Sequence, residues 1–516
     1  MSVLLKNLVL DAARLPGNWP DLTAGIAAEK LGIPEYAVSG TEILSASVDS
    51  RRGTPKILLT LKVDAAGIPD TPVEEFAAFI PAEPDIPGSV RLRNPVVVGT
   101  GPAGIYGALV LAMAGCEPVI IDSGAPADER CRDYRNFLAD RKLNENSNLL
   151  IGEGGAGTFS DGKLYTGTRD RKAGWVKRIM VECGVPEEII WKSRAHAGSD
   201  FLQSSAEKLR HKIENLGGRF IFHTRVRDII VKNGQCRGVV TASGEKIFAP
   251  AVLIAPGLGG RELVRNLALH AEWELKPFQI GCRIEHPQKF IDRSMYRMPR
   301  PAALGAAEYH IVARRHERHV ASFCMCPGGE VVNATAWENH SISNGMSLFA
   351  RAGEFANSCL ISTFAPGELG SVADIYQLIN SLEKRCFTMG GGDYTLPAQD
   401  VYAFLRKEPG LRNSRSDTAV GVVSGRIDQL VPEKLYAALA SALKEFDSRM
   451  TGFIRQGKFI GIESCVSAPL RFWRNRENGQ SSIRELYLAG EGCGAAGGII
   501  SAACDGIRCA EAMLRL

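Results

Sequence analysis

The sequence is poor in the features that would assign it to several large classes of protein. Its formal charge is only +4 over 516 residues, and its basic residues are interspersed with acids, so we expect neither nucleic acid nor an anionic membrane among its partners. Its thirteen cysteines include no CxxC pair, which argues against a metal site and against a disulfide framework. The composition, 45% hydrophobic and 23% charged, is typical of a globular protein of two or three domains.

The chain also lacks an evident export signal. The acid Asp11 interrupts an apolar run that is too short for a signal peptide, so we expect a cytoplasmic protein with reduced thiols. The apolar stretch Pro95–Gly115 is long enough to span a bilayer. It contains four interior glycines, however, and its pattern favours a strand, a turn and a helix.

A glycine motif inside that stretch predicts a dinucleotide site. Val96–Val98 is typical of a buried strand, and GTGPAG at residues 99–104 then opens a helical pattern through Met113. In such a motif the glycines permit a tight turn, the approach of a pyrophosphate and close packing of helix on strand. The next predicted strand ends in an acid placed to hold a ribose hydroxyl. The cofactor-binding candidates here are Gly99, Gly101, Pro102, Ala103, Gly104 and Asp122.

Later strands indicate which dinucleotide binds. Residues 219–247 are typical of strands joined by turns at Asn233-Gly234 and Ser243-Gly244, and an apolar run follows at residues 251–255. This order resembles the glutathione-reductase-type FAD fold, in which a β-meander interrupts the nucleotide-binding sheet. The resemblance implies that the backbone of Val226 lies near the adenine and that a turn containing Ala255 and Gly257 returns to the FAD sheet.

A glycine-rich stretch near the end, GEGCGAAGGIISAACDG from residue 490, is the predicted second half of the site. The same resemblance implies that a strand at Leu486–Leu488 leads to the ribityl chain and that the following helix points its N-terminus at the flavin. The dipole of that helix would stabilise negative charge on the cofactor. The alternative is a flexible approach to an alanine-rich helix. The candidates here are Gly490, Glu491, Gly497, Gly498 and Ile499.

A third glycine-rich loop, IGEGGAGTFSDGKL at Ile151–Leu164, predicts further cofactor contacts. Its backbone N–H groups can bind a pyrophosphate or the flavin edge; the alternative is a plain surface loop. The candidates are Gly154, Gly155, Ser160 and Asp161. With this loop and the motifs KPFQIGCRIEHPQ, FCMCPGGEVVNA, NGMS and GGGDYTLPAQD, the sequence resembles a bacterial family of uncharacterised FAD-dependent dehydrogenases from about residue 40 to the last residue.

The family resemblance implies an FAD enzyme with an inserted substrate domain, but it supplies no substrate. Three stretches depart from the family pattern: APGLGGR at residues 255–261, ESCVS at 463–467 and GEGCGAAGG at 490–498. A histidine, an arginine and a tyrosine of that pattern are missing, and Cys465 and Cys493 are present, which favours a specialised substrate. Cys493 is either a small apolar filler or a reactive thiol.

The predicted fold class is α/β, with a Rossmann-like FAD-binding domain of the glutathione-reductase type, an inserted α+β substrate domain and a small N-terminal α+β module. We expect the module at residues 1–88, the FAD-binding domain at 89–270 and 461–516, and the inserted domain at 271–460. Residues 271–461 contain no second strand-GxGxxG-helix unit, so the electrons come from the substrate, from nicotinamide bound without a separate domain, or from an external donor. The module has seven basic and twelve acidic residues, which gives no support to RNA binding.

The candidate catalytic residues are Arg283, His286 and Cys493. Arg283 shares one face of a predicted strand with Glu285, and His286 lies on the other face. Arginine could bind a substrate carboxylate, and histidine could move a proton. The alternatives are an ion pair at a sheet edge and a hydrogen-bonded core histidine.

Two further patterns have structural interpretations. Cys324 and Cys326 share a predicted strand face and are most simply two small buried side chains, since their spacing is at the upper limit for a disulfide. The sequence RRHERH at Arg314–His319 is typical of a solvated hairpin tip.

Together these patterns predict an FAD-dependent oxidoreductase that dehydrogenates a small polar organic substrate by hydride transfer to flavin N5. The alternatives are an FAD monooxygenase or reductase and, from another class, a flavin-bound scaffold or RNA-modification partner. The expected partners are a small-molecule substrate and an external electron donor or acceptor.

Overall fold

The computed structural model describes residues 1–314 and 318–516. The N-terminal module contains β1 (Ser2–Asp11), α1 (Thr23–Leu31), β2 (Val38–Asp49), β3 (Lys56–Ala65) and α2 (Val73–Phe76). Its strands form an antiparallel sheet in the order β1-β3-β2. Alternate residues of β3 are buried, because successive side chains of a strand point to opposite faces. The module therefore combines helices with an antiparallel sheet.

The next elements form a parallel sheet, its covering helices and a β-meander. They are β4 (Val96–Val98), α3 (Pro102–Met113), β5 (Val119–Ile121), α4 (Ala127–Asp140), α5 (Lys172–Glu182), α6 (Glu188–Trp191), α7 (Gly198–Asn215), β6 (Arg219–Ile221), β7 (Val226–Lys232), β8 (Gln235–Thr241), β9 (Lys246–Phe248), β10 (Val252–Ile254) and α8 (Arg261–Leu267). Strands β7, β8 and β9 form the meander. The predicted turn at Asn233-Gly234 joins β7 to β8, and both of its residues have positive φ.

The following segment builds a second, larger sheet. Its elements are β11 (Trp273–Leu275), β12 (Phe278–Pro287), α9 (Gln288–Tyr296), β13 (Val312–Ala313), β14 (Val320–Cys326), β15 (Glu330–Asn333), β16 (Ser343–Met346), β17 (Phe355–Phe364), α10 (Val372–Met389), β18 (Leu396–Asp400), α11 (Val401–Arg406), β19 (Val422–Ser424), α12 (Ile427–Leu430), α13 (Glu433–Arg449), α14 (Phe453–Gln456) and β20 (Lys458–Glu463). Seven of these strands pair in the order β13-β14-β17-β12-β20-β18-β19. Strand β20 spans the expected boundary at residue 460.

The last elements of the chain are β21 (Leu470–Phe472), β22 (Leu486–Leu488) and α15 (Ile499–Met513). Strand β21 pairs with β11, and β22 returns to the parallel sheet. The parallel sheet has the order β22-β10-β4-β5-β6. Strand β10 therefore lies between β4 and β22, the first and last strands of this sheet in the sequence. Because the carboxyl ends of parallel strands meet at one edge, the loops after β4, β5, β10 and β22 converge there.

Small residues let the two helices of this sheet touch. A Cβ atom on Gly506 of α15 would lie 1.8 Å from the carbonyl oxygen of Ala103 in α3, and one on Gly107 would lie 3.1 Å from the carbonyl oxygen of Gly506. Only glycine fits at such a crossing. The stretch Pro95–Gly115 is thus divided between β4, a glycine turn and α3, and among the described residues no helix is long and apolar enough to cross a membrane.

The N-terminal sheet and the seven-stranded sheet contribute to one hydrophobic cluster. Buried residues of β3 belong to the same hydrophobic cluster as buried residues of β12, α10 and α13. The module therefore shares its core with the second sheet. Three of the six residues of the predicted hairpin tip at Arg314–His319, residues 315–317, lie outside the described residues.

Candidate functional site

One large cavity lies between the two sheets. Its volume is about 1520 Å³, which exceeds the roughly 300–1,000 Å³ that enclose a single drug-sized ligand. Val98, Ile121 and Ala255 line it from the ends of β4, β5 and β10, and Gln279 and Glu463 line it from β12 and β20. The cavity can therefore hold a dinucleotide together with a second, smaller molecule.

The GTGPAG turn lies at the carboxyl end of β4 and begins α3. Gly99 has a φ of 95°, and a Cβ atom on it would lie 2.2 Å from the carbonyl oxygen of Ala255. A Cβ atom on Gly104 would lie 1.8 Å from the carbonyl oxygen of Gly99. Gly101, Pro102 and the first turn of α3 line the cavity. The free N–H groups of this helix end therefore suit a ligand that carries negative charge.

Asp122 connects two of the loops at this edge. Its Oδ2 accepts hydrogen bonds from the Thr100 backbone N–H at 2.8 Å and from Thr100 Oγ1 at 2.6 Å, while its Oδ1 accepts from the Gly124 N–H at 2.8 Å. The side chain is buried and lines the cavity. It thus holds the turn after β4 against the turn after β5 at the predicted ribose position.

The GEGGAG loop is held by a fully buried arginine, Arg130 of α4. Its Nε and Nη2 donate to the carbonyl of Asn148 at 3.1 and 2.7 Å, and its Nη1 donates to the carbonyls of Glu153 and Gly155. Burial lowers the pKa of Arg130 to about 10. Gly152, Gly154 and Gly155 all have positive φ. The loop therefore wraps the guanidinium in a conformation that other residues rarely adopt.

The segment after this loop points its two charged residues in different directions. Ser160 and Lys163 line the cavity, whereas Asp161 is fully buried behind them. Asp161 accepts hydrogen bonds from Arg351 at 2.9 and 2.6 Å and from Lys163 at 3.0 Å. Burial alone would raise the pKa of Asp161, but these two cations hold it below its ordinary value. Asp161 therefore fixes Lys163 at the cavity wall.

The C-terminal glycine stretch forms a further part of the cavity wall. Gly490 has a φ of 78°, and its N–H donates to Oδ2 of Asp505 at 2.9 Å. Glu491 accepts a hydrogen bond from Lys276 Nζ at 2.9 Å. Helix α15 begins immediately after Gly498, and residues 496–502 line the cavity. A second helix N-terminus thus faces the same space as α3.

The seven-stranded sheet supplies a polar wall built around Arg283 of β12. Arg283 is fully buried; its Nη2 lies 2.6 Å from Glu463 and 2.9 Å from Oδ1 of Asn344, and its Nη1 donates to the carbonyl of Cys324 at 3.0 Å. These three partners line the cavity, but Arg283 lies behind them. A Cβ atom on Gly345 would lie 2.7 Å from Arg283 Nη1, which explains why the NGMS motif has glycine there.

Glu463 is the group of this wall suited to proton transfer. It is buried, and burial raises the pKa of Glu463 to about 7 despite the adjacent Arg283. A carboxyl group with a pKa near the operating pH is an effective general base.

Comparisons with known proteins agree with this geometry. Residues 277–465 match the model for "FAD-dependent protein, C-terminal domain-like", and residues 203–343 match "FAD dependent oxidoreductase". The chain is 34% identical over 502 residues to an uncharacterized protein of Clostridium beijerinckii, covering 94% of each chain. The chain belongs to this family of FAD-dependent proteins. It is an FAD-dependent oxidoreductase, as the sequence predicted.

More distant similarities are weaker. The tRNA uridine 5-carboxymethylaminomethyl modification enzyme MnmG of Geobacter sulfurreducens is 27% identical over 171 residues, which cover 33% of this chain and 25% of that protein. A glycerol-3-phosphate dehydrogenase from Bacillus halodurans complexed with FAD has a TM-score of 0.35 at 10% identity, covering 82% of this chain and 65% of that chain. Quinol fumarate reductase FrdA of E. coli has a TM-score of 0.37 at 11% identity, and the match covers 82% of this chain and 70% of that chain.

The cavity of this FAD-dependent protein fits its cofactor. Two helix N-termini face it, as binding of the pyrophosphate and flavin requires, and glycine backbones leave room on both sides. All but three of the predicted cofactor residues line it: Gly99, Gly101, Pro102, Ala103, Asp122, Gly155, Ser160, Val226, Ala255, Gly257, Gly490, Glu491, Gly497, Gly498 and Ile499.

The remaining three cofactor candidates act from behind the wall. Gly104 packs against the Gly99 carbonyl, and the N–H of Gly154 donates to the Thr100 carbonyl at 3.0 Å. Asp161 does not hold ribityl atoms directly, because its carboxylate is enclosed by Arg351, Lys163 and Ser347.

The structure places the three catalytic candidates outside the cavity lining. His286 lies on the other face of β12, where its Nε2 is 2.9 Å from the carbonyl of Phe453 and its ring packs on Phe453 and Phe290. Burial lowers the pKa of His286 to about 4, so it is the core histidine of the alternative interpretation. Arg283 does not present its charge to a substrate, because Glu463 and amide and carbonyl oxygens surround the guanidinium.

Cys493 is also buried. Its Sγ lies 3.6 Å from the carbonyl oxygen of Ile254, and burial raises the pKa of the Cys493 thiol. It packs in the cluster that contains β10 and β22. Cys493 therefore has the surroundings of the small apolar filler.

Sequence reasoning missed Lys163, Cys324, Glu463 and Arg130 as site residues. Lys163 lies in IGEGGAGTFSDGKL and Glu463 in ESCVS, and a charged residue directly after a glycine-rich loop or at a strand end was the available signal. Arg130 had none, because α4 is rich in exposed arginines and acids.

Proposed function

We propose that the protein dehydrogenates a small polar organic substrate, with FAD supplying the hydride acceptor. The observation that carries this proposal is the polar wall of the cavity, where Lys163, Asn344 and Glu463 stand beside the space that the glycine loops leave for the flavin. Lys163 offers a cation for an anionic or strongly polar substrate group. Asn344 offers an amide to the same space, and Arg283 holds its carbonyl oxygen.

Glu463 would accept the proton that dehydrogenation releases. Removal of a hydride from a C–H bond leaves a proton on the neighbouring O–H or N–H group, and a base within hydrogen-bond reach must take it. Glu463 lies in the wall with its pKa raised to about 7 by burial. Arg283, at 2.6 Å, orients the carboxylate and stabilises its charged form.

We also propose that the FAD-binding domain is of the glutathione-reductase type and that the seven-stranded sheet is its inserted substrate domain. Two features support this subtype. The meander β7–β9 lies between β6 and β10 in the sequence. Strand β22 pairs with β10, although all strands of the seven-stranded sheet lie between these two strands in the sequence. We infer that a small-molecule substrate supplies the electrons and that an external acceptor removes them.

Anaerobic reduction tests the proposed function. The purified flavoprotein is mixed with polar alcohols, amines and amino acids, or with a small-molecule cell extract, and the visible absorbance of the oxidised flavin is followed. We expect one substrate class to bleach it without NAD(P)H. The Glu463→Gln variant should keep its flavin and lose this bleaching. Bleaching by NAD(P)H alone would favour the monooxygenase or reductase alternative, and a flavin inert to both would favour a scaffold.

A further inference from the structure

Two aromatic side chains line the cavity from segments that a hydrogen bond joins. Tyr165 follows the GEGGAG loop and Phe323 belongs to β14; both line the cavity, with exposed fractions of 40% and 41%. Lys163 Nζ donates to the carbonyl of Met325, and each of these two residues lies two positions from one of the rings, or about 7 Å along an extended chain. The two rings therefore lie on neighbouring parts of one wall, and their surfaces are available to a ligand.

The ring of Phe323 stands at the point where β14 departs from regular pairing. The register against β17 shifts between Phe323 and Cys326, and Cys324 has a φ of 48°, a conformation that few residues other than glycine and asparagine adopt. Such a β-bulge redirects side chains out of the regular alternation. Arg283 Nη1 donates to the carbonyl of Cys324 at 3.0 Å. A buried cation thus fixes the bend beside a phenylalanine that most folds would bury.

A second cation, Lys163, lies beside the rings and carries charge to the cavity. Its ammonium group has three donors and uses two of them, on Asp161 at 3.0 Å and on a backbone carbonyl. Asp161 is shared with Arg351 at 2.6 Å, and the nearby carboxylate of Glu308 pairs with Arg194 at 2.9 Å. The cluster therefore has one uncompensated positive charge, and Lys163 has a third N–H group for an anion.

We propose that Tyr165, Phe323 and Lys163 form a recognition slot and that the substrate is an aromatic acid, a planar ring that carries a carboxylate. The ring packs on the two aromatic side chains in offset or edge-to-face contacts, which a saturated ring cannot reproduce. The carboxylate accepts a charge-assisted hydrogen bond from Lys163. This inference rests on the proposed function in that it takes the same wall of the cavity as the place of the substrate.

Binding to the oxidised flavoprotein tests the slot without turnover. The first probe is phenylacetate. Cyclohexylacetate has the same carboxylate on a saturated ring, and phenylacetamide has the same aromatic ring without the charge. Calorimetry measures each affinity, and the visible spectrum of the flavin reports binding in the cavity. We expect phenylacetate to bind at least about tenfold more tightly than either of the others. Equal affinities for the three probes would overturn the proposal.

Variants separate the rings from the charge. Tyr165→Leu and Phe323→Leu should each weaken binding of phenylacetate by about fivefold or more and leave that of cyclohexylacetate unchanged. Lys163→Gln should remove the preference for phenylacetate over phenylacetamide. The control is Phe248→Leu, because that ring is 70% exposed on β9 and lies outside the cavity lining. Flavin lost from either ring variant would assign the rings to the cofactor and overturn the slot.

The slot and the proposed dehydrogenation can fail separately. Selective binding of phenylacetate that depends on both rings supports the slot even if no aromatic acid bleaches the flavin, a result that would count against dehydrogenation. A substrate without an aromatic ring that bleaches the flavin equally fast in the wild type and in both leucine variants would overturn the slot and leave dehydrogenation standing.

Discussion

The guanidinium of Arg283 lies 2.6 Å from the carboxylate of Glu463, and both side chains are buried. The two residues belong to neighbouring antiparallel strands, β12 and β20. Only Glu463 reaches the cavity. The pair thus places one titratable oxygen at the wall and keeps its counter-charge inside the sheet.

Breaking this pair should destabilise the fold. Arg283→Met leaves the Glu463 carboxyl buried without its cation, and removal of one partner of a buried pair costs about 3–5 kcal/mol of unfolding free energy. Chemical denaturation measures this change. The matched control is Arg406→Met, which removes an exposed ion pair with Glu408 at 2.9 Å and should have no measurable effect. Equal stability of the two variants would contradict the buried-pair interpretation.

The pH dependence of turnover should report Glu463. Because a base must be deprotonated to act, kcat/KM should rise with pH to a plateau with a midpoint near 7, the value to which burial raises the pKa of Glu463. Glu463→Gln should lower turnover by about 10²–10⁴-fold and abolish the rise of kcat/KM with a midpoint near pH 7. A pH profile that is unchanged in the variant would exclude Glu463 as the base.

The raised pKa of Glu463 also predicts that the stability of the fold decreases with rising pH, whereas turnover increases. The folded protein keeps a proton on Glu463 up to about pH 7, while the unfolded chain releases it near the ordinary value of 4.5. Stability falls with rising pH wherever the folded state binds more protons, so this group's contribution decreases between those two values. Denaturation midpoints of wild type and Glu463→Gln across this window should diverge as the pH rises.

Local signals explain which parts of the site could be predicted. Gly104 is required by a contact within one turn, because its Cβ atom would strike the carbonyl oxygen of Gly99, and Gly99 has a positive φ that favours glycine. The strand–turn–helix pattern around them is equally local, and β4, α3 and β22 have their predicted bounds. The glycine-lined half of the cavity was therefore visible in the sequence.

Long-range packing explains what could not be predicted. The alternation of side chains along β12 correctly predicted that Arg283 and His286 lie on opposite faces. It did not show that Glu463 and Asn344 lie between Arg283 and the cavity. The prediction that Cys324 and Cys326 share one buried face of β14 was wrong, because a register shift against β17 between Phe323 and Cys326 brings Cys324 to the cavity. Such features require the register of strands distant in sequence.

The GTGPAG turn provides a test of cofactor binding. Gly101 caps α3 at the cavity, and a Cβ atom there would lie 3.8 Å from Cα of Gly155. Gly101→Asp places a carboxylate where the pyrophosphate must approach, so we expect protein without flavin, measured by visible absorbance and by release of FAD on denaturation. Gly305→Asp is the control, since that glycine is exposed and has open space around it. Flavin retained in Gly101→Asp would contradict the assignment.

Arg130 provides a test of the loop that faces α3. Its guanidinium donates to the carbonyls of Asn148, Glu153 and Gly155, so Arg130→Met leaves several buried carbonyl oxygens without a donor, at about 1–3 kcal/mol for each unsatisfied group. We expect the loop to open, FAD affinity to fall by at least tenfold and proteolysis within residues 148–157 to increase.

Two further variants serve as controls. Arg132→Met, two residues along the same helix, removes only an exposed ion pair with Asp128 and should keep the FAD affinity and the protease resistance of the wild type. Arg130→Lys separates charge from geometry, because a single ammonium restores the charge but cannot reach all three carbonyls with the fork of a guanidinium. If Arg130→Lys bound FAD as tightly as the wild type, charge alone would account for the effect, and the proposed multidentate clamp would be wrong.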